Sequence, residues 1–257
     1  MGASGSGKSS VIFAGLIPNL RLENDWYIVS FRPGKNPIQS LAAAFISSSK
    51  TELDESERLF EIRSLVQKLE QGNVSLLDVA QKILHDQAKK SHFLIVIDQF
   101  EELYTFGHDL ESQYTFLDVL LSLISQPKHE IVDEEHMLVK SMLKCNEAPT
   151  HLVLTMRTDF LAQAITYRPF ADIIQDNNLI LGPMTAEELK RVIITPAQRQ
   201  GITIETHLVS RLLDNVGQEP GNLPLLQFAL DLLWKRQTNR TLTHVAYEAI
   251  GGIDGAH

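Results

Sequence analysis

Residues 2–9 read Gly2-Ala3-Ser4-Gly5-Ser6-Gly7-Lys8-Ser9, which is G-x-x-x-x-G-K-S, the spacing of a phosphate-binding loop. Glycines at these positions let backbone N–H groups turn inward and cradle phosphate oxygens. Lys8 can set its ammonium between the β- and γ-phosphates, and Ser9 offers a hydroxyl to Mg²⁺. A helical pattern runs from Ser10 to Leu20, and the dipole of its N-terminus adds to the anion site. The candidate nucleotide-binding set is therefore Gly2, Ser4, Gly5, Ser6, Gly7, Lys8, Ser9 and Ser10. Lys8 is also the first candidate catalytic group. Such a loop ordinarily leaves the end of a buried strand, yet only Met1 precedes Gly2, so the first strand is expected to be missing from this sequence. Five buried apolar residues of such a strand are worth roughly 7–15 kcal/mol, about the net stability of a whole domain. The expectation is thus a truncated nucleotide domain with weakened binding unless something replaces the strand.

Working outward, 257 residues suffice for one large or two ordinary domains, and 44% apolar with 21% charged residues fits a globular chain. A net charge of −9 argues against a general nucleic-acid binder. No run of about 18 apolar residues occurs, so no membrane-spanning helix is expected. The single Cys145 leaves no internal disulfide and fits a reducing compartment. With no secretory signal in view, a cytoplasmic location is expected.

Four apolar runs have strand character: 26–31, 93–97, 151–156 and 178–181. Helical segments at 38–46, 59–69 and 76–88 separate the first pair. Segments at 114–124 and 137–143 lie between the second run and the third. Strands alternating with helices predict a parallel α/β sheet. After Pro183 the pattern becomes helical throughout, apart from a short β-rich Ile202-Thr203-Ile204. The predicted organisation is a nucleotide-binding α/β domain over 1–183 and an all-helical domain over 184–257. The polar, acidic stretch 128–135 reads as a solvated loop.

Leu94-Ile95-Val96-Ile97-Asp98 is an apolar strand ending in an acid. Such a strand carries its carboxylate to the edge of the sheet where ligands bind. Asp98 is the candidate Mg²⁺ ligand together with Ser9, directly or through water. Hydrolysis also needs a base or water-positioning group. No acid follows Asp98 immediately; Glu101 and Glu102 are the nearest candidates, with Glu101 slightly preferred over a purely solvent-facing role for both. Arg157 follows the strand Leu152-Val153-Leu154-Thr155-Met156. It is a candidate sensor of the γ-phosphate, the alternative being a structural pair with Asp159. Pro224, in Gly221-Asn222-Leu223-Pro224-Leu225, reads on physics alone as a helix start.

Taken in order, GASGSGKSS (2–10), YIVSFRPGKNPIQSLAAAF (27–45), LIVIDQFEEL (94–103), LVLTMRTDFL (152–161), LGPMTAEEL (181–189), GNLPLLQFALDLLW (221–234) and LTHVAYEAIGGIDGAH (242–257) resemble the novel STAND NTPases. These are P-loop signal-transduction ATPases related to the NACHT and NB-ARC switches, often bacterial and often followed by WD repeats. The resemblance covers nearly the whole chain. It implies an ATP/ADP switch: ADP holds a closed state, and exchange for ATP opens the protein and promotes self-association, which recruits an effector. It further implies Lys8 in the phosphate loop, Asp98 directing Mg²⁺, Arg157 as first sensor, and Gly221 with Pro224 beside the adenine, although the Gly-Asn-Leu-Pro spacing departs from the family's Gly-x-Pro. The winged helix that would follow, and the sensor and effector domains, are not in this sequence. Two other readings stand beside it: a P-loop kinase of a small molecule, against which the long helical region speaks, and a non-catalytic fragment serving as an interaction module.

Overall fold

A computed structural model of the chain describes residues 1–50, 52–87, 89–123, 150–216 and 223–252. Its contacts divide the chain into two compact units, Ser9–Asn178 and Met1–Lys8 with Leu179–His257. The sequence pattern places the division at Pro183 and keeps the phosphate loop with the first part. In the structure the first residues side with the C-terminal unit because Leu181 N donates to Met1 O at 2.8 Å and Gly2 forms a parallel bridge to Leu181.

Among the described residues, the unit Ser9–Asn178 is built on a parallel sheet in the order β1 (Trp26–Phe31), β2 (His92–Ile97) and β3 (Thr150–Leu154). β2 lies in the middle and is apolar from Phe93 to Ile97, each residue at most 2% exposed, as a strand covered on both faces requires. Its alternate residues serve opposite faces. Leu94 and Val96 pack with Ile17 and its helical neighbours Ile12, Leu16 and Leu20. Phe93 stacks on Phe45, at 5.6 Å between ring centroids, and on Tyr27 at 5.3 Å.

Helices form the crossovers. Pro37–Ser49, Glu55–Glu70 and Leu76–Asp86 connect β1 to β2. Asp54 and Ser75 start the latter two with capping boxes, each side chain accepting from the backbone three residues on while Glu57 and Asp78 reach back. Leu110–Leu121 follows β2, capped by Asp109. The helical region after the phosphate loop is broken up by Pro18, which supplies no N–H and crowds the carbonyl four residues back. The chain widens into a π-helical turn over Val11–Leu16 before Ile17–Glu23.

The other unit carries helices Ala186–Arg199, Thr206–Val216, Leu223–Lys235 and His244–Ala249. Their core includes Leu208, Leu212, Ala229, Leu233 and Tyr247, each at most 1% exposed. Buried Tyr247 turns its hydroxyl to accept from Asn215 Nδ2 at 2.8 Å. This part is helical as predicted, with one addition: the β-rich 202–204 segment yields β4 (Thr203–Ile204), paired in parallel with β5 (Thr241–Leu242). The predicted strand at 178–181 shrinks to the single bridge at Leu181, leaving Leu179 and Ile180 71% and 67% exposed. A lone bridge orders one residue pair and cannot bury its neighbours. The predicted helix at 137–143, the acidic stretch 128–135 and Cys145 lie outside the described residues.

Phe93→Ala removes the ring at the centre of the stack and is expected to destabilise the protein by about 3–5 kcal/mol in urea unfolding. Phe60→Ala, at a ring 73% exposed, should change stability by no more than about 0.5 kcal/mol.

Candidate nucleotide and metal site

The register of the sheet builds the site. Phe31 pairs with Ile97 and Ile97 with Leu154, so β1, β2 and β3 end level with one another. The pairing continues for one more residue: Asp98 N donates to Phe31 O and Thr155 N to Ile97 O, both at 2.9 Å. Arg32, Asp98 and Thr155 therefore emerge side by side at the carboxyl edge, where open parallel sheets bind ligands.

Asp98 is 2% exposed, and its carboxylate is surrounded by donors. Oδ1 accepts from Ser9 Oγ at 2.6 Å and from Thr155 Oγ1 at 2.8 Å. Oδ2 accepts from Arg32 Nε at 3.2 Å and Nη2 at 3.1 Å. The sequence motifs bring Ser9 and Asp98 together across 89 residues of chain. Two hard oxygen donors converging here, one of them a charged carboxylate, fit the chemistry of Mg²⁺.

The turn after Asp98 is held by β3. Gln99 has φ 57°, a left-handed conformation that costs a non-glycine residue about 1 kcal/mol or more. Gln99 N donates to Thr155 Oγ1 at 3.0 Å and Phe100 N to Thr155 O at 2.8 Å. Phe100 is fully buried, its ring 5.4 Å from that of Phe170. This turn sorts the two acids that the sequence leaves as alternatives. Glu101 Oε2 accepts from the backbone N of Arg157 at 3.2 Å, at the end of β3. Glu102 Oε2 accepts from Gly34 N at 2.9 Å, just past β1. Glu101 and Arg157 are brought together; Glu102 anchors the turn after β1.

Arg157 takes the arrangement that the sequence offers as its alternative. Nε donates to Asp159 Oδ1 at 3.1 Å and Nη2 to Oδ2, a fork-to-fork pair, with the guanidinium carbon 5.5 Å from the Phe160 ring centroid. Hydrogen bonding to Asp159 raises the Arg157 pKa further above its ordinary value.

The glycine-rich segment Met1–Lys8 has the backbone that its sequence calls for. Gly7 has φ 84°, a region that L side chains rarely enter. A Cβ on Gly2 would lie 2.6 Å from Ser6 Oγ and 2.9 Å from Leu181 O, so no larger residue fits there. Lys8 Nζ donates to Gly2 O at 3.0 Å and Ala3 O at 2.7 Å. Ser6 Oγ is buried without a hydrogen-bond partner among the described residues. Pro224 stands exposed in the first turn of Leu223–Lys235, and Gly221 lies outside the described residues. The sequence reading missed Arg32 and Thr155. The signal for both was their place directly after a strand, level with Asp98 once the register is known.

The sequence model of the family described as Novel STAND NTPase 1 matches residues 1–257. No curated protein matches the chain. Among solved structures the chain is similar to the ORC1 protein of Aeropyrum pernix in complex with DNA, at 15% identity and TM-score 0.53, covering 97% of this chain and 57% of that one. It is also similar to the ORC2 protein of Aeropyrum pernix in its ADP form, at 14% identity and TM-score 0.56, covering 100% of this chain and 59% of that one. The chain thus spans less than two thirds of the length of these proteins, and at such identities the likeness is one of fold. No helix among the described residues is long and apolar enough to cross a membrane. A phosphate-loop sequence, a buried acid at the end of the central strand and a family match over the full length agree: the chain belongs to the novel STAND NTPase 1 family.

Proposed function

We propose that this chain is the ATP- and ADP-binding core of a signalling switch with slow, Mg²⁺-dependent ATP hydrolysis. The observation that carries the reading is the meeting of Ser9 Oγ, from the last residue of the G-x-x-x-x-G-K-S sequence, with Asp98 Oδ1 at 2.6 Å at the carboxyl edge of a parallel sheet. The backbone N–H groups of residues 2–10 and the Lys8 ammonium bind the phosphates. Pro224 contacts the base. Ser9 and Asp98 hold Mg²⁺, which when bound neutralises phosphate charge.

Glu101 is the group that positions or deprotonates the attacking water. Its carboxylate rests on the Arg157 backbone, so acid and sensor are set by one contact. Arg157 reports the γ-phosphate, exchanging its pair with Asp159 for a charge-assisted bond to the nucleotide. An exposed pair of this kind is worth only about 0–1 kcal/mol, so a phosphate oxygen can compete for the guanidinium. A γ-phosphate contact made by Arg157 in one conformation and lost in the other gives ATP, and not ADP, the differential affinity for two states that a ligand-driven switch requires. The biological role is signalling, with self-association as the output of the ATP state.

Lys8→Ala is expected to weaken ATP·Mg²⁺ binding by roughly 10–150-fold, the worth of a hydrogen bond to a charged group. Unchanged affinity by calorimetry would remove the phosphate-loop assignment. Arg157→Ala should weaken ATP about tenfold more than ADP, one charge-assisted hydrogen bond's worth. Equal losses for the two nucleotides would show that Arg157 does not read the γ-phosphate.

A further inference from the structure

Arg32 is a positively charged side chain bonded to Asp98, and the phosphate-loop chemistry gives it no role. Its position is built, not incidental. Asp98 N is bonded to Phe31 O, so the residue after β1 must lie beside the acid. The turn that follows is anchored twice: Gly34 N donates to Glu102 Oε2 at 2.9 Å, and Ser40 Oγ donates to Pro33 O at 2.9 Å. Pro33 is buried, while the Arg32 side chain is 57% exposed. The guanidinium thus stands on a fixed stem with solvent open to it.

The donors match the carboxylate. Ser9 and Thr155 take Oδ1, and Arg32 places Nε and Nη2 on Oδ2. These donors fill the roughly four lone-pair sites of a carboxylate. A cation bound through Asp98, directly or through water, needs one of those sites. The hydroxyls can rotate and stay, but a guanidinium within hydrogen-bond distance of the same carboxylate repels an arriving divalent ion.

We propose that Arg32 is the resident counter-cation of Asp98, and that Mg²⁺ entering with nucleotide must displace it. Arg32 thereby lowers the affinity of the site for metal and keeps the buried acid compensated in the metal-free protein. The inference rests on Asp98 being the metal-directing acid. Arg32 acts here on affinity, through Asp98.

The test reads the coupling between metal and nucleotide: the ratio of the dissociation constants of a fluorescent ADP analogue in EDTA and in Mg²⁺. Arg32→Gln keeps side-chain N–H donors and removes the charge; its ratio should exceed that of the wild type by about tenfold, equivalent to about 1.4 kcal/mol. Arg32→Lys should stay near wild type. Asp98→Asn should bring the ratio close to one. A wild-type or smaller ratio in Arg32→Gln, with coupling lost in Asp98→Asn, overturns the role of Arg32 and leaves Asp98 as the metal acid. Wild-type coupling in Asp98→Asn overturns both. A second measurement needs no glutamine variant to fold. In protein labelled with ¹⁵N-arginine, the Arg32 Nε–H resonance, identified by its absence from Arg32→Lys, should be protected from exchange in EDTA and lose that protection with Mg²⁺ and ADP. Protection that persists with Mg²⁺ and ADP overturns the proposal.

Discussion

A carboxylate that is 2% exposed at the end of the central strand is the constraint on which the rest of the first unit depends. Burying an unpaired ion costs several kcal/mol, so Asp98 is tolerable only where donors converge on it. Each donor comes from a different part of the chain: Ser9 from the end of the phosphate loop, Arg32 from the end of β1 and Thr155 from the end of β3. The acid therefore fastens three segments to one edge of the sheet. In the function proposed above, the contacts that compensate the buried acid in the metal-free protein are the same ones that a cation bound through Asp98 has to rearrange, so stability and metal affinity are coupled there.

Thr155 shows how closely the two are joined. Its hydroxyl donates to Asp98 and accepts from Gln99 N, and its carbonyl accepts from Phe100 N. These bonds hold Gln99 in its left-handed conformation and so determine where the following acids point. Glu101 then reaches the end of β3 and Glu102 the turn after β1. The sorting of two adjacent glutamates to opposite sides is a consequence of one strained residue held by one threonine.

The second unit follows simpler rules. Thr185 and Glu188 form a capping box at the start of Ala186–Arg199, and hydrogen bonds from Thr185 hold the Glu188 pKa below its usual value. Apolar residues at helical spacing, such as Leu208 and Leu212, meet in a core with Leu226 and Leu233. The glycines of Met1–Lys8 and the carbonyls on which Lys8 closes give the phosphate-loop sequence a turned backbone of its own.

Features that depend on near neighbours or on periodicity are legible in the sequence. Alternation of apolar strands with amphipathic helices specified a parallel α/β sheet followed by helices, because side-chain period and turn residues act locally. The G-x-x-x-x-G-K-S segment and the acid after β2 stand out in the sequence because the chemistry expected of them needs particular residue types at a short, rigid spacing. Features that depend on register arise in the packed fold. No local signal says that Phe31 lies opposite Ile97, and from that pairing come Arg32 on Asp98, Thr155 beneath the turn and the division of labour between Glu101 and Glu102. The strand predicted at 178–181 fell to a single bridge for the same reason: β propensity orders a segment only where a partner strand stands beside it, and sequence neighbours do not supply one.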